Sequence, residues 1–314
     1  MSKEKNELKI KYKRIEYNNA KYEGNIVDKK MEGEGKLKYE NGDKYEGTFK
    51  DNKKQGKGIY KYHTGEEYKG DYNLDIKNGK GFFNFNNGFK YEGDIIKNKI
   101  QGHGILYYPN KTKYEGEFNN GIKNGAGVFT YVNGDKYEGQ FNNNKKIGKW
   151  IYYYKNGDKY EDNADSYNKK IFIYSNGDKY EGFIVNGLKE GKGIYFYNNG
   201  DKYDGYWKND KKEGKGDYYY SNGDSYKGDW SEGKKNGKGI FCYKKGDKYE
   251  GEWKEDKKEG NGIYFFQNGT RYEGLWKNDK INGKGIGYIN DDEKLIFEYS
   301  DGVLIRAYEE QKEN

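Results

Sequence analysis

The sequence predicts an all-β protein, an elongated single-layer antiparallel meander of tandem β-hairpin repeats, each 23 residues long. Three observations lead to this fold class. The 314 residues include 37 Tyr and 47 Gly but only one Pro, a composition that favours short strands and tight turns over helices. A Lys-Tyr-Glu-Gly-like tetrad recurs at a fixed spacing along most of the chain. Within each repeat, apolar residues alternate with polar ones, as in half-buried strands.

The repeat is defined by the tyrosine of its tetrad, and a fixed period of a few tens of residues indicates a repeat architecture. Successive tetrad tyrosines are 23 residues apart, except for one step of 20. They are Tyr22, Tyr45, Tyr68, Tyr91, Tyr114, Tyr137, Tyr160, Tyr180, Tyr203, Tyr226, Tyr249 and Tyr272. The short step, from Tyr160 to Tyr180, marks an irregular repeat.

The first strand of each repeat begins beside the tetrad tyrosine. Because side chains alternate along a strand, Tyr45, Gly47 and Phe49 share one face, while Lys44 and Glu46 lie on the other. Each repeat therefore has one aromatic face and one charged face.

The second strand contains two glycines one residue apart, then two large apolar residues, as in Gly56, Gly58, Tyr60 and Tyr62. We infer that these glycines leave room for rings of neighbouring strands to lie across the sheet, so that a side chain there would clash. An Asn-Gly pair commonly follows and predicts a turn between strands. One hairpin is too small to be stable alone, so neighbouring repeats must stack. Strands about 4.8 Å apart would give a rod on the order of 110 Å long.

The pattern divides the chain into five segments. Residues 1–21 form a tail and an N-terminal cap strand, 22–159 form repeats one to six, 160–179 form a degenerate repeat, 180–294 form repeats eight to twelve, and 295–314 form a cap hairpin with a polar tail. The degenerate repeat lacks the glycine pair, and Asp162 replaces its tetrad glycine. It is either a bend or partner notch, or a decayed repeat that a redundant array tolerates.

The low numbers of Cys and His and the lack of long apolar segments argue against several classes of function. No run approaches 18 apolar residues and the first residues have no apolar segment, so we expect neither a membrane span nor a secretory signal. One Cys and two His leave little for a zinc site or a catalytic triad. Residues 162–166 resemble a calcium loop only faintly. We therefore predict no catalytic residue, no metal and no cofactor, in a cytoplasmic protein that is cytoskeletal or bound at the cytoplasmic face of a membrane.

These repeats resemble the MORN (membrane occupation and recognition nexus) family, whose unit reads approximately Tyr-x-Gly-x-Trp, Gly-x-Gly, an aromatic strand and Asn-Gly. Tyr203, Trp207, Gly214 and Gly216, followed by Asn222-Gly223, show the whole pattern, and similar units cover roughly residues 22 to 294. The resemblance implies stacked β-hairpins. Family members include junctophilins, radial-spoke head proteins, plant phosphoinositide kinases and cytoskeletal scaffolds of protozoan parasites. Because enzymes of the family have a separate catalytic domain, the resemblance implies a non-enzymatic scaffold or binding module for partner peptides or acidic lipids.

The C-terminal repeats are the richest in tryptophan and suggest a binding site, because an exposed apolar surface often marks one. We expect their tyrosines and tryptophans to form a groove that anchors a partner peptide or helix. The alternative is that these rings only pack on one another as a one-sided core. The residues are Tyr203, Trp207, Tyr226, Trp230, Tyr249, Trp253, Tyr272 and Trp276.

Lysine pairs recur between the two strands of several repeats and would line one edge of the sheet. They predict contact with an anionic phospholipid surface, although nearby carboxylates offset them and lysines also keep edges soluble. The pairs are Lys53 and Lys54, Lys145 and Lys146, Lys211 and Lys212, and Lys257 and Lys258. Nucleic acid is not an expected partner, because the chain has three Arg and its lysines are interleaved with acidic residues.

The C-terminal end reads as a closing hairpin around Asp301-Gly302. It is unusually apolar for a cap, with Leu295, Phe297, Tyr299, Val303 and Ile305. Exposed apolar edges tend to pair with other chains, so we predict a homodimer through this end. The sequence thus predicts a homodimeric scaffold or adaptor that presents an aromatic groove to protein partners. A peripheral membrane module that binds anionic phospholipid and an accessory subunit of a catalytic complex are the alternatives.

Overall fold

The computed structural model describes residues 11–163, 170–289 and 293–309. These ranges contain 27 β-strands and no helix, so the predicted fold class, an antiparallel meander of hairpins, is confirmed. The chain divides into two compact units, the first extending to Lys155 and the second beginning at Asn156, with residues 163–165 assigned to the first. Most of the calcium-like segment 162–166 and the polar tail beyond residue 309 lie outside the described residues.

The first unit contains thirteen strands. They are β1 (Lys11–Tyr17), β2 (Ala20–Val27), β3 (Lys30–Tyr39), β4 (Lys44–Lys50), β5 (Lys53–Lys61), β6 (Glu67–Asn73), β7 (Ile76–Asn84), β8 (Lys90–Ile96), β9 (Lys99–Tyr107), β10 (Lys113–Asn119), β11 (Ile122–Thr130), β12 (Lys136–Asn142) and β13 (Lys145–Tyr153). Each strand pairs antiparallel with the next along the chain.

The second unit starts with the strands of the degenerate repeat and ends with the closing hairpin. Its strands are β14 (Lys159–Asn163), β15 (Lys170–Ile173), β16 (Lys179–Val185), β17 (Leu188–Phe196), β18 (Lys202–Lys208), β19 (Lys211–Tyr219), β20 (Ser225–Ser231), β21 (Lys234–Cys242), β22 (Lys248–Lys254), β23 (Lys257–Phe265), β24 (Arg271–Lys277), β25 (Lys280–Tyr288), β26 (Lys294–Ser300) and β27 (Val303–Glu309). Here too each strand pairs antiparallel with the next.

Two kinds of turn alternate along each unit. The strands of one repeat are joined by a two-residue turn such as Asn209-Asp210, where both residues have positive φ, 46° and 67°, as type I′ hairpins require. The Asn-Gly pairs that follow the second strands lie in the longer loops between repeats, whereas Asn120-Gly121 and Asn186-Gly187 form tight turns within repeats. In one of the longer loops, Asn222 Oδ1 accepts a hydrogen bond from the Asp224 backbone N–H at 2.9 Å, and Gly223 has a φ of 95°. The turn signals of the sequence therefore missed tight turns such as Asn209-Asp210, whereas Asp301-Gly302, the predicted turn of the closing hairpin, does join β26 and β27.

The first glycine of each pair lies at a bulge. Gly214 has a φ of 65°, and the pairing of β18 with β19 shifts from Gly205↔Gly216 to Tyr206↔Glu213. Residues with a Cβ rarely adopt this conformation, so the bulge favours glycine.

The second glycine has a different role, because a tyrosine ring covers it. Tyr203 folds over Gly205 of its own strand and Gly216 of the next, and a Cβ on either glycine would lie 2.4 Å from the Tyr203 hydroxyl oxygen. That hydroxyl donates a hydrogen bond to the Tyr206 carbonyl at 3.0 Å. The prediction that the glycines leave room for rings is therefore confirmed for the second glycine and wrong for the first, since Gly214 has no ring atom over it.

The core is a layer of rings on this one face of the sheet. Tyr203 contacts Trp207 and Trp230 edge to face, each at 5.2 Å between ring centroids. Such pairs contribute about 0.5–1.5 kcal/mol beyond their buried area. The indole N–H of Trp230 donates to the Gly216 carbonyl at 3.0 Å. The strand that carries the glycine pair therefore also provides the hydrogen-bond acceptor for this buried nitrogen.

Trp150 shows what happens when the second glycine is missing. It lies beside Tyr137, with 5.5 Å between ring centroids, and the Tyr137 hydroxyl is buried without a hydrogen-bond partner. In nine other repeats, the equivalent hydroxyl donates to the carbonyl three residues later. The Tyr272 hydroxyl is also buried without a partner although Gly285 is present, so loss of the second glycine is not the only cause of a missing bond.

Candidate partner-binding surfaces

The eight aromatic residues predicted to line an open groove are buried in the core of the second unit, with exposed fractions of 0 to 7%. They pack mainly on one another, which is the alternative that the sequence left open. The expectation that these rings are themselves accessible is therefore wrong, although binding of a partner on this face stays a prediction. The residues concerned are Tyr203, Trp207, Tyr226, Trp230, Tyr249, Trp253, Tyr272 and Trp276.

A second row of rings on the same face is accessible. We call it the outer ring row; it consists of Tyr197, Tyr220, Tyr243 and Phe266, one from each of four successive repeats. The three tyrosines are half-buried and Phe266 is exposed. Their inner neighbours link them into a ladder, since Tyr220 lies 4.5 Å from Tyr218, with other links of 5.7 to 5.9 Å. The paired aromatic residues of the second strand were the sequence signal for this row.

Aspartates of the Asn-Gly loops hold this ladder in place. Asp201 accepts hydrogen bonds from the Tyr218 hydroxyl at 2.8 Å and from the Ser221 backbone N–H at 2.7 Å. Asp178 makes the same two bonds one repeat earlier, with Tyr195 and Asn198. Burial raises the pKa of Asp201, but these hydrogen bonds outweigh it and hold that pKa below its usual value. Sequence reasoning missed this clamp, whose signal was the Asp that follows many Asn-Gly pairs.

The eight lysines predicted to face a membrane do not share one surface. Successive residues of a strand point to opposite faces, so the first lysine of each pair is exposed and the second turns toward the aromatic face. Lys258 is only 9% exposed and its Nζ lies 4.9 Å from the Trp276 ring centroid. The expectation of one lysine-lined edge is therefore wrong. Lys53, Lys145, Lys211 and Lys257 are exposed, whereas Lys54, Lys146, Lys212 and Lys258 each place Nζ over at least one ring.

An open groove of about 950 Å³ crosses the opposite face of the second unit. Its floor alternates half-buried isoleucines with acidic residues, because Ile240 pairs with Glu250 and Ile263 pairs with Glu273 on neighbouring strands. Lysines and carboxylates line it in equal number, so it carries no net charge. Sequence reasoning assigned no site to this face; the aliphatic residue after several glycine pairs was the available signal.

The predicted dimer end is partly accessible. Val303 and Ile305 on β27 are 64% and 61% exposed, and among the described strands β27 pairs only with β26. On β26, by contrast, Leu295 is half-buried, and Phe297 and Tyr299 pack against the core of the second unit. The structure therefore separates the five predicted residues into an exposed edge pair and three residues of the preceding strand.

The described ranges contain neither a metal-binding cluster nor a membrane-spanning helix. Among these residues, no group of three or more His, Cys, Asp or Glu side chains is arranged to hold a metal ion. The same part of the chain forms no helix of the length and apolarity needed to cross a bilayer.

Comparison with known families finds the MORN repeat at eleven places. The matched residues are 22–44, 45–67, 68–89, 91–113, 114–136, 137–159, 180–202, 203–225, 226–248, 249–271 and 272–286. The degenerate repeat at 160–179 is not among them. Comparison with curated proteins finds no match.

Solved structures offer only distant likenesses. The TCP domain of Drosophila melanogaster SAS-4, in complex with a proline-rich motif of Ana2, is 18% identical over 49% of this chain and 85% of its own, with a TM-score of 0.36. The TCP10 domain of Danio rerio CPAP is 12% identical over 70% of this chain and 94% of its own, with a TM-score of 0.23. Virginiamycin B lyase from Staphylococcus aureus is 12% identical over 88% and 90%, with a TM-score of 0.14.

Proposed function

The chain belongs to the MORN repeat family, and from that membership we propose that it is a non-enzymatic scaffold or adaptor that binds a protein partner along the aromatic face of its second unit. The observation that carries this proposal is the outer ring row, which offers one accessible ring in each of four successive repeats. Rows of accessible aromatic side chains mark binding surfaces more often than scattered apolar residues do.

The outer ring row is also held rigidly. Tyr220 packs at a tilt against Tyr218, and Tyr218 is fixed by its hydrogen bond to Asp201. Because binding must otherwise freeze mobile side chains at about 0.5–1.5 kcal/mol each, rings that are already ordered bind at a lower entropic cost. The eight buried rings thus support the site as its floor without contacting the partner.

We also propose that two copies associate through β27. Val303, Leu304 and Ile305 leave a strand edge that is apolar on both faces, and such edges recruit a further strand. A scaffold with two copies would present two partner sites and gain from multivalent binding.

The phospholipid alternative is weakened because half of the lysines predicted to contact a membrane turn toward the aromatic face. Of those that remain exposed, Lys211 forms an ion pair with Glu232, and Lys257 donates to Asn278 at 3.3 Å. A membrane contact through them would therefore be weaker than the sequence predicted. An accessory subunit of a catalytic complex would use the same protein-binding surface.

The test compares two full-length variants as baits in lysate of the source cells. Tyr220→Ala with Tyr243→Ala removes two accessible rings, whereas the matched control Ile263→Ala alters the opposite groove. Circular dichroism melts first establish that both variants fold. We expect the double variant to lose proteins that the wild type captures and the control to retain them. Loss with Ile263→Ala and retention with the double variant would assign binding to the opposite face instead.

A further inference from the structure

Most lysines of the aromatic face are joined to a turn residue 21 positions later, in the next repeat. Lys189 is representative: its backbone N–H donates to Asp210 Oδ1 at 2.9 Å, and its Nζ lies 3.3 Å from the same oxygen. Lys54 makes the equivalent contacts with Asp75, at 2.9 and 3.7 Å. The turn carboxylate thus neutralises a lysine that is packed among rings.

Lys212 departs from this pattern, because the residue 21 positions later is Gly233. Three other repeats also have glycine there, Gly121, Gly187 and Gly302. The residues facing Gly121 and Gly302 are Ile100 and Ile281, and the position that corresponds to Gly187 lies outside the described residues. Lys77 and Lys123 face Asn98 and Asn144, whose amide oxygens accept their backbone N–H groups. Within the described ranges, Lys212 is therefore the lysine whose turn partner has no side chain.

The ammonium of Lys212 lies in a cage of rings. Its Nζ is 4.3 Å from the Trp230 centroid, 4.6 Å from Tyr218 and 5.5 Å from Tyr203. No ion pair with a carboxylate is found for it in the part of the chain that the structure describes. Burial lowers its pKa to about 8; Asp256 and Asp201 oppose this shift to a smaller extent, and Lys235 adds to it. Rings attract a cation, but they do not neutralise its charge.

The cage lies under the outer ring row. Tyr218, which contacts the Lys212 ammonium, is flanked by Tyr197 at 5.7 Å and by Tyr220 at 4.5 Å. The position of the missing carboxylate is also open, since a Cβ on Gly233 would have no atom within 4 Å. An anion could therefore reach Lys212 from the accessible side of the sheet.

We propose that the partner on the aromatic face is an acidic peptide segment, one carboxylate of which takes the place of the absent turn aspartate and pairs with Lys212. This inference rests on the proposed function and specifies the chemistry of its partner. Charge complementarity supports it, because a carboxylate at this position completes the ion pair that Lys54 and Lys189 already have. A charge-assisted hydrogen bond in this partly dry cage is stronger than one in water.

The repeats themselves supply the test variants. Gly233→Asp installs the missing carboxylate; Asp210 and Asp256 occupy the same turn position with φ of 67° and 71°, so this backbone accommodates Asp. Lys212→Ile recreates an arrangement found twice elsewhere in the chain, in which an isoleucine faces a turn glycine 21 positions later. The matched control is Gly121→Asp, which adds a carboxylate to an equivalent open turn that faces Ile100 instead of a lysine.

The probes are two blocked peptides, acetyl-(Asp-Tyr)₃-amide and its counterpart with Asn in place of Asp. Each is titrated into the full-length protein labelled with ¹³C-lysine, and binding is followed by NMR at the Lys212 side chain and elsewhere in the protein. By linkage, a bound carboxylate that raises the pKa of Lys212 by one unit tightens binding about tenfold. We expect about this preference for the Asp peptide in the wild type and in Gly121→Asp, and no preference in Gly233→Asp or Lys212→Ile.

The outcomes separate this inference from the proposed function. Equal binding of both peptides to the wild type would keep the aromatic face as a protein-binding site and overturn the carboxylate assignment. No binding of either peptide would count against both. A preference that survives in Gly233→Asp would place the acid-binding group elsewhere. Vesicles of phosphatidylserine form a final arm, and their binding in place of the Asp peptide, lost in Gly233→Asp, would reassign the anion to a lipid headgroup.

Discussion

The ring of Tyr203 lies across Gly216 of the neighbouring strand so closely that a Cβ at position 216 would be 2.4 Å from the hydroxyl oxygen and 2.5 Å from Cε2. The same hydroxyl donates to the Tyr206 carbonyl. The hydrogen bond lies within β18, while the ring spans both strands of the repeat, and it can do so only while the neighbouring strand has glycine at this register.

Gly216→Ala should destabilise the protein by about 1–3 kcal/mol, because the added methyl group overpacks the ring above it. Urea titration of the full-length protein, followed by circular dichroism, measures the loss. Lys215→Ala is the control: that side chain is 73% exposed on the opposite face, and its loss should cost at most about 0.5 kcal/mol. A Gly216→Ala midpoint equal to that of the control would show that the ring can move aside.

The fold was predictable because the repeat displays its physical requirements directly. Alternating residues around Tyr45 define a strand with two faces, and the paired glycines indicate rings lying across it. What the sequence could not show is that a single-layer sheet can bury its rings. Trp207 is only 6% exposed, since neighbouring rings pack against it and the ammonium of Lys189 lies over it. For the same reason the accessible rings are those of the outer ring row, which includes Tyr220, and not the predicted tryptophans.

The face of the sheet to which each lysine points was equally hard to predict from the sequence, because it depends on where the tight turn lies. With the turn at Asn209-Asp210, Lys211 begins the next strand on the exposed face and Lys212 follows on the aromatic face. The turn could not be located from its residues alone, since Asn209-Asp210 lacks the glycine of the Asn-Gly and Asp-Gly pairs that mark two-residue hairpins. The significance of Gly233 could be recognised only after the contacts of Asp210 were known.

The clamp at Asp201 predicts a pH dependence. Asp201→Ala should cost about 1.5–3 kcal/mol at pH 7, because the hydrogen bonds that its ionised carboxylate accepts from Tyr218, Ser221 and Asn199 are lost. The pKa of Asp201 is lowered in the folded state, so its contribution is present above the unfolded value of about 4 and is lost as the pH falls through the folded value. The difference in thermal midpoint between the variant and the wild type should therefore shrink below about pH 4.

The control for this prediction is Asp204→Ala, which alters an acidic residue of β18 that pairs with Lys202 at 3.9 Å and leaves the Tyr218 bond intact. Its effect at pH 7 should be within about 0.5 kcal/mol. A loss of stability in Asp201→Ala that stays constant down to pH 2 would mean that the side chain acts by packing and not through its charge.

The caged lysine, Lys212, predicts a second pH dependence of stability, at alkaline pH. Burial lowers the pKa of Lys212 to about 8, whereas an unfolded lysine titrates near about 10.4. Between these values the unfolded chain binds more protons, so the stability of the wild type should rise with pH. Lys212→Ile removes the buried charge and should be more stable than the wild type at pH 7, by on the order of 1 kcal/mol.

Urea titrations at three pH values between 7 and 10 test this prediction, and the advantage of Lys212→Ile should diminish toward pH 10. Lys189→Ile is the matched control, because it breaks an existing ion pair with Asp210 and should give no gain at pH 7. An advantage of Lys212→Ile that is independent of pH would assign the effect to apolar packing alone.

The two outer strands differ in a way that predicts the form of the assembly. β1 carries Lys11, Lys13 and Arg14, and charged residues discourage strand addition at an edge. β27 exposes Val303 and Ile305 instead. With one adhesive end, two copies can pair symmetrically through β27, whereas growth into a filament would need both ends.

Light scattering on the full-length protein should therefore give about twice the chain mass of 36.8 kDa, with no further growth as concentration rises. Val303→Lys with Ile305→Lys should shift the mass to one chain, because two ammonium groups cannot be buried between paired edges. Tyr12→Lys adds charge at the opposite edge, where Tyr12 is 65% exposed, and should leave the dimer intact. A mass that increases with concentration and falls with Tyr12→Lys would instead indicate head-to-tail addition of β1 to β27, and with it an open filament.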